Sequence, residues 1–267
     1  MATNHFQPFA HPFHLVTHSP WPFVVSFATL SAMFTLALTM HGYIGDLNLF
    51  LVQLAVLAAS IALWVRDVIT EGSYLGDHTR AVRKGLEFGF NLFVLSEILI
   101  FAALFWAYLH SAMNPTPELG LQWAPMDIEK VEAMELPLLN TVILLSSGAT
   151  VTYAHHAWIN NNYRGASIFM TITTLLIVIF VGLQFCEYLF ALFTMSDGVY
   201  GSVFYAGTGL HMFHMITLII MLSIATIRVI KRLMSQTHSV NLDLTIIYSH
   251  VLDVIWLALF VLFYVWV

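Results

Sequence analysis

Charged residues are scarce in this chain. Only 9% of its 267 residues are charged, whereas 59% are hydrophobic; a typical soluble domain has roughly 25% charged residues. The chain has nine Lys and Arg and a net charge of −6, which argues against a nucleic-acid-binding protein because phosphate recognition needs clustered cations. So few charges cannot cover this much apolar surface in water. The composition therefore predicts an integral membrane protein.

Cysteine and the common catalytic motifs are also missing. The single cysteine, Cys186, excludes an intramolecular disulfide framework. The sequence has no nucleotide-binding loop, Cys-x-x-Cys pair, zincin motif or Gly-x-Ser-x-Gly elbow. The first twenty residues contain no Lys or Arg, so neither a secretory signal nor a transit peptide is expected there. We therefore expect the function to reside in the hydrophobic segments.

Long hydrophobic runs are what the chain has in abundance. A spanning helix needs about 20 mostly apolar residues, and seven such segments are predicted. They cover residues 22–40, 47–68, 82–110, 138–158, 167–193, 203–232 and 245–267. With seven spans, eight of the nine Lys and Arg fall on the same side as the N-terminus, and only Lys130 lies opposite. The positive-inside rule then predicts an inner N-terminus and an outer C-terminus.

One carboxylate, Glu97, falls in the middle of the third segment. An ionised carboxyl there costs roughly 2.5–3.5 kcal/mol on insertion scales, so such groups face protein, water or a proton path. Two interpretations remain open: a protonated carboxyl bonded to a neighbouring helix, or a member of a proton relay. Glu187 and Asp253 lie nearer to segment ends, which weakens the case for a continuous proton-conducting chain of acidic residues.

Small residues border Glu97 on the same segment. Gly85, Gly89, Ser96 and Ala103 predict a face that another helix can approach closely. The run SSGAT at 146–150 predicts a similar face on the fourth segment, rather than a nucleophile site.

Two of the thirteen histidines, His211 and His214, fall clearly inside a predicted span. Their spacing puts them on one helical face, so a metal pair is one interpretation. Membrane haem and copper sites need histidines on facing helices at matched depth, and no second pair occupies that depth. A hydrogen-bonded packing role or a role facing another subunit is therefore preferred.

The histidines of the N-terminal segment form a second group. His5, His11, His14 and His18 precede the first span, and an unperturbed imidazole titrates near pH 6.5. They are candidates for collecting protons; the alternative is a solvated tail that happens to contain several histidines.

A third group lies at the inner end of the second segment. Trp64, Arg66, Glu71 and His78 combine an aromatic ring with ionisable groups at the expected headgroup depth. This combination suggests a phospholipid site, although ordinary interfacial anchoring explains it equally well.

Several motifs occur in a fixed order over nearly the whole chain. They are SPWP at 19–22, GDHT at 76–79, LSE at 95–97, FWAYLH at 105–110, SDGVYG at 196–201, TGLH at 208–211 and HVLDVIW at 250–256. In this order they resemble subunit III of cytochrome c oxidase. The seven-span length is similar to the mitochondrial members of that family, and the HGYIG loop at 41–45 is similar to the fungal ones.

The resemblance implies an all-α membrane protein with seven transmembrane helices in a single membrane domain. The N-terminal tail and the first two helices (residues 1–70) would form one unit and residues 80–267 a five-helix bundle, separated by a lipid-filled V-shaped cleft. The implied function is that of a non-catalytic core subunit of the respiratory terminal oxidase, which transfers electrons from cytochrome c to O2 and pumps protons. Such a subunit stabilises the catalytic subunit, binds phospholipids and supports proton uptake.

Partners and sites also follow from the resemblance. Haem a and copper would belong to the partner subunits I and II, with no cofactor, metal ligand or catalytic residue in this chain. Small accessory subunits, phospholipids and a respiratory supercomplex are further expected partners, in the mitochondrial inner membrane with the N-terminus in the matrix. The residues that match lipid contacts are Trp64, Arg66, Glu71, His78 and Arg228. Glu97 matches a carboxyl that reacts with carbodiimides and is not essential for pumping.

Two other classes of protein are weighed against this hypothesis. A proton-coupled membrane transporter using Glu97 would need charged groups converging at mid-membrane and interrupted helices, and only Glu97 meets the first demand. A di-haem membrane cytochrome would need axial histidines at matched depth, whereas most of those here lie near segment ends. The subunit III hypothesis is therefore the leading one.

Overall fold

Seven long helices make up the fold. The structure, a computed structural model, describes residues 13–117, 120–123, 125, 128–233 and 240–266, and within these ranges it contains no strand. The helices are α1 (Trp21–Met40), α2 (Asn48–Thr70), α3 (Arg80–Met113), α4 (Leu136–Ile159), α5 (Tyr163–Phe190), α6 (Val199–Ile230) and α7 (Val240–Phe260). All seven are long and apolar enough to cross a membrane, with α7 extended to Val265 by a π-helical turn. The predicted all-α class and the seven spans are confirmed.

Local chemistry sets the ends of these helices. The fifth helix begins at Tyr163, four residues before its predicted start, because the Asn162 side chain accepts a hydrogen bond from the backbone N–H of Gly165 at 3.0 Å. It ends at Phe190 because Ala191 adopts an extended conformation. At 34 residues, α3 is about 51 Å long at 1.5 Å per residue, well beyond the hydrocarbon thickness, as its predicted length also implied.

The first of two compact units contains the described residues up to Leu86. Here α1 and α2 pack in antiparallel fashion. The start of α1 contacts the end of α2, and the middles of the two helices contact each other. The indole N–H of Trp21 donates to the carboxylate of Asp67 at 2.5 Å, and the Ser31 hydroxyl donates to the Gln53 side-chain oxygen at 2.9 Å. Ala28 and Ala32 are buried on α1, so small residues line this contact.

The second unit runs from Glu87 to the C-terminus and has the larger core. Its largest fully buried side chains include Trp158, Trp256, Tyr108, Phe101 and Phe180. In this core the Trp256 ring stands edge-to-face on Phe180, with 4.8 Å between the ring centroids. Aromatic side chains therefore fill the space that α3, α5 and α7 enclose.

Polar side chains tie neighbouring helices of the second unit together. The hydroxyls of Thr150 on α4 and Thr173 on α5 are 2.8 Å apart, and Ser147, within the small-residue run at 146–150, is fully buried. Ser146 and Ala149 of the same run are exposed, so only part of the predicted face packs against a neighbouring helix. On α3, Ser96 and Ala103 are also exposed, so no other described helix of the second unit covers them.

Replacing a core tryptophan tests this packing. Trp256→Ala removes a buried ring and its 3.0 Å hydrogen bond to the Thr141 hydroxyl, and we expect a destabilisation of about 3–5 kcal/mol. Hydrogen–deuterium exchange should become faster in peptides from α4 and α7. The matched control is Trp106→Ala, since Trp106 is 72% exposed and its loss should leave exchange in these helices unchanged. Equal effects of the two substitutions would contradict the assigned packing.

Candidate functional site

Glu97 is paired with a histidine on another helix. Its carboxylate Oε2 lies 2.6 Å from Nε2 of His214, which joins the middle of α3 to α6. Both side chains are largely shielded, with 16% of Glu97 and 6% of His214 exposed. The costly carboxyl that the sequence indicates therefore has a direct partner inside the protein, as the first of the two interpretations requires.

A second hydrogen bond determines how many protons this pair holds. Nδ1 of His214 lies 2.8 Å from the backbone carbonyl of Leu210, and a carbonyl oxygen only accepts, so Nδ1 must carry a hydrogen. Nε2 then either accepts a proton from a neutral Glu97 carboxyl or donates one to its carboxylate. Both states contain one shared proton and have zero net charge, so the pair places no net charge in the membrane.

Aromatic rings surround the Glu97–His214 pair. Phe101, one turn after Glu97 on α3, has its ring centroid 5.4 Å from that of His214. The rings of Phe213 and Tyr248 lie at 5.8 and 6.5 Å from the same imidazole. This setting has a low polarity, which strengthens the hydrogen bond between the two groups.

His211 takes a different partner from His214. Its Nε2 lies 3.2 Å from the backbone carbonyl of Leu252 on α7, and the ring is fully buried. Each imidazole is thus held by its own hydrogen bond to a carbonyl. This arrangement corresponds to the packing role that the sequence analysis prefers over a metal pair.

The other intramembrane acids also have separate neighbours. The phenol of Tyr264 donates to Oε1 of Glu187 at 2.6 Å, and the Gln184 amide donates to the same oxygen at 3.0 Å. Asp253 lies 3.6 Å from Nδ1 of His250 on the preceding turn of α7. One oxygen of each acid thus has a neighbour that differs from those around Glu97, whereas Oε2 of Glu187 and Oδ1 of Asp253 are buried without a hydrogen-bond partner.

A pocket of about 510 Å³ lies in the first unit, beside the end of α2. Trp64, Glu71 and His78 line it together with His14 and Asp67. The structure therefore brings together three of the five residues that the resemblance assigns to lipid binding. Apolar side chains supply most of the remaining wall: Phe13, Val16, Pro22, Val68, Ala81, Val82 and Leu86.

The two arginines of the predicted lipid site lie elsewhere. Arg66 forms a two-pronged contact with Asp67, with Nε and Nη2 donating to Oδ1 at 3.0 and 2.8 Å. Asp67 in turn lines the pocket. Arg66 therefore adjoins the pocket through its contact with the Asp67 carboxylate. Arg228 belongs to the second unit, near the end of α6, and its contact with lipid stays a prediction.

A π-helical turn shapes the pocket wall. Residues Glu71–Leu75 form this turn at the end of α2, and Gly76 follows it with a left-handed φ of 74°, a conformation that glycine adopts most easily. The chain then returns so that His78 packs on Gly72, where an added Cβ would lie 2.6 Å from Nδ1 of His78. Partial burial lowers the pKa of the His78 imidazole below its usual range, and neighbouring His14 adds to the effect.

His14 joins this group from the segment that precedes α1. Its ring centroid lies 5.9 Å from that of His78, and its Nε2 lies 3.7 Å from the Asp77 carboxylate. His5 and His11 lie outside the described residues, so the proton-collecting role of the three stays a prediction. The convergence of His14 with Glu71 and His78 could not be predicted from the sequence, because no spacing pattern links His14 to residues so far along the chain.

Comparison with known proteins gives a consistent result. The family model for cytochrome c oxidase subunit III matches residues 11–267. The chain is 60% identical over 255 residues to cytochrome c oxidase subunit 3 of Lachancea kluyveri, covering 96% of this chain and 95% of that protein. It is 60% identical over 256 residues to the Saccharomyces cerevisiae subunit, with the same coverage. The Yarrowia lipolytica subunit is 50% identical over 257 residues, or 96% of each chain. The chain therefore belongs to the cytochrome c oxidase subunit III family.

Proposed function

We propose that this chain is the non-catalytic core subunit III of a respiratory terminal oxidase, the complex that passes electrons from cytochrome c to O2 and pumps protons. The observation that carries the proposal is the family match over residues 11–267. Subunits I and II hold haem a and copper in this proposal, and small accessory subunits complete the assembly. This chain stabilises the catalytic subunit and supports its proton uptake, with His5, His11 and His14 as the predicted proton-collecting residues.

Family membership and the charge pattern support the proposed location. The proposed membrane is the mitochondrial inner membrane, with the N-terminus in the matrix and the C-terminus in the intermembrane space. With seven spans, all Lys and Arg except Lys130 lie at or near helix ends on the N-terminal side, as the positive-inside rule requires of the matrix face.

Glu97 has an architectural role in this proposal. A relay needs a further group that takes the proton on, whereas the closest surroundings of the Glu97–His214 pair include the rings of Phe101, Phe213 and Tyr248. The 2.6 Å contact holds α3 to α6 without net charge. This geometry favours a fixed helix contact over the rival proposal of a proton-coupled transporter using Glu97.

The pocket beside α2 is the proposed phospholipid site. Its apolar lining suits an acyl chain, and Trp64 has the mixed apolar and polar character of an interfacial anchor. Arg66, Glu71 and His78 offer charge and hydrogen bonds at the polar end. Arg228, in the second unit, is a separate predicted lipid contact.

The first prediction concerns Glu97→Gln. The amide of Gln can donate to Nε2 of His214 while Nδ1–H stays on the Leu210 carbonyl, so the helix contact survives. We expect oxidase assembly, initial turnover and the number of protons pumped per electron to remain nearly unchanged. Oxygen consumption and proton release by the purified complex in vesicles measure these quantities.

Glu97→Ala is the matched variant for this test. It leaves Nε2 of His214 without a partner, at a cost of about 1–3 kcal/mol for a buried polar group. We expect subunit III to be lost from the complex more readily on heating in detergent. If Glu97→Gln abolished pumping while assembly was intact, the relay interpretation would be correct instead.

A further prediction tests the lipid site. Trp64→Ala removes the aromatic wall of the pocket, so fewer tightly bound phospholipids should remain with the purified complex. Lipid extraction followed by phosphorus analysis per haem a measures this number. Trp106→Ala serves as the control because Trp106 is exposed on α3 and does not line the pocket. An unchanged phospholipid content in the Trp64 variant would contradict the proposed site.

A further inference from the structure

Three metal-ligand side chains converge in the first unit. One ligand atom from each of His14, Glu71 and His78 lies within 4.8 Å of the other two. The residues come from different places in the fold: the segment before α1, the π-helical turn after α2 and the turn before α3. The fold therefore brings His14 to Glu71 and His78, which lie much later in the sequence.

Two imidazoles with one carboxylate suit a particular class of cation. Zn²⁺ binds His nitrogen and Glu oxygen at about 2.0–2.2 Å, and a His2Glu set leaves a fourth position open. Ca²⁺ and Mg²⁺ prefer sites built only from oxygen ligands. Ligand atoms around a tetrahedral zinc ion are about 3.3 Å apart, as the bond lengths dictate, so side-chain movements of about 1 Å would close the cluster on an ion.

The surroundings add negative charge and orientation. The carboxylate of Asp77 lies 3.7 Å from Nε2 of His14, where it can fix the ring and increase the basicity of the imidazole, as carboxylates commonly do behind metal-bound histidines. Asp67 and Glu71 are the acidic residues that line the pocket of about 510 Å³. A cation in the cluster is attracted by the Glu71 carboxylate, whereas Asp67 is already paired with Arg66.

The cluster is also accessible. His14, Glu71 and His78 are each half-buried, and His14 and Glu71 also line a neighbouring pocket of about 200 Å³ together with Asp77. An ion can therefore enter without a rearrangement of helices, and the space in front of the cluster can hold a water molecule or a substrate-like ligand as the fourth partner.

We propose that His14, Glu71 and His78 form a binding site for a divalent transition-metal ion, with Zn²⁺ as the best match. The site extends beyond the proposed role in assembly and lipid binding, and its metal is a regulatory or structural ligand rather than a redox centre. Occupation would link the segment before α1 to the end of α2 and to the turn before α3.

The test measures zinc binding to the whole purified oxidase complex. Complexes stripped with a chelator are titrated with radioactive zinc, and zinc sites in partner subunits appear equally in every sample. We expect the wild-type complex to bind one more zinc ion than the His14→Gln and His78→Gln complexes at micromolar zinc. Each of these substitutions should weaken that site by about tenfold or more, since losses of 10–100-fold already follow from changes behind the ligands. Glu71→Gln should also weaken it.

A matched control and a direct observation complete the experiment. His41→Gln removes an exposed histidine outside the cluster and should leave zinc binding as in the wild type. Phospholipid phosphorus per haem a, measured in the same samples, separates loss of zinc from loss of the lipid site. A density map of the wild-type complex at saturating zinc should contain a strong peak between the three side chains. Equal zinc binding by wild-type and His78→Gln complexes, or a map without that peak, would overturn the proposal.

Discussion

The hydrocarbon of a membrane offers no water to a polar side chain, and this constraint explains the contacts between the helices of the second unit. A polar group placed there is costly unless it finds a partner within the protein. Glu97 meets His214, Glu187 meets Tyr264 and Gln184, and His211 meets the carbonyl of Leu252. Because apolar side chains pack against lipid as readily as against each other, these bonds decide which helices are neighbours and at what depth. The aromatic core then fills the space that they define.

The first unit differs because its ionisable contacts lie at the ends of its helices. Asp67 accepts from both Trp21 and Arg66, so one carboxylate connects the start of α1 to the end of α2. After the π-helical turn at the end of α2, the chain returns so that His78 packs on Gly72. Irregular helical turns of this type are frequent at functional sites, and here the turn brings ionisable groups into contact with a pocket that has mostly apolar walls.

The spans could be predicted from the sequence because hydropathy is a local property, and their number was correct. Their ends were less accurate: α7 begins at Val240 rather than at 245, and α5 is capped by Asn162. The sequence identifies Glu97 as a costly charge. Its partner, His214, is 117 residues away, and a hydrophobic periodicity cannot predict a contact over that separation. The sequence predicts a proton-collecting role for His14, which stays a prediction; its contacts with Glu71 and His78 depend on how separate parts of the chain fold together.

The tautomer of His214 has a consequence for the electrical behaviour of the α3–α6 contact. Whether the shared proton resides on Glu97 or on His214, it moves by less than the 2.6 Å that separates the two heavy atoms. A membrane potential of 100 mV does about 2.3 kcal/mol of work on a charge that crosses the whole membrane. The hydrocarbon is about 30 Å thick, so the work done on a proton that moves less than 2.6 Å is below about 0.2 kcal/mol. The contact is thus electrically silent: it can hold two helices together in an energised membrane without responding to the voltage that the oxidase itself generates.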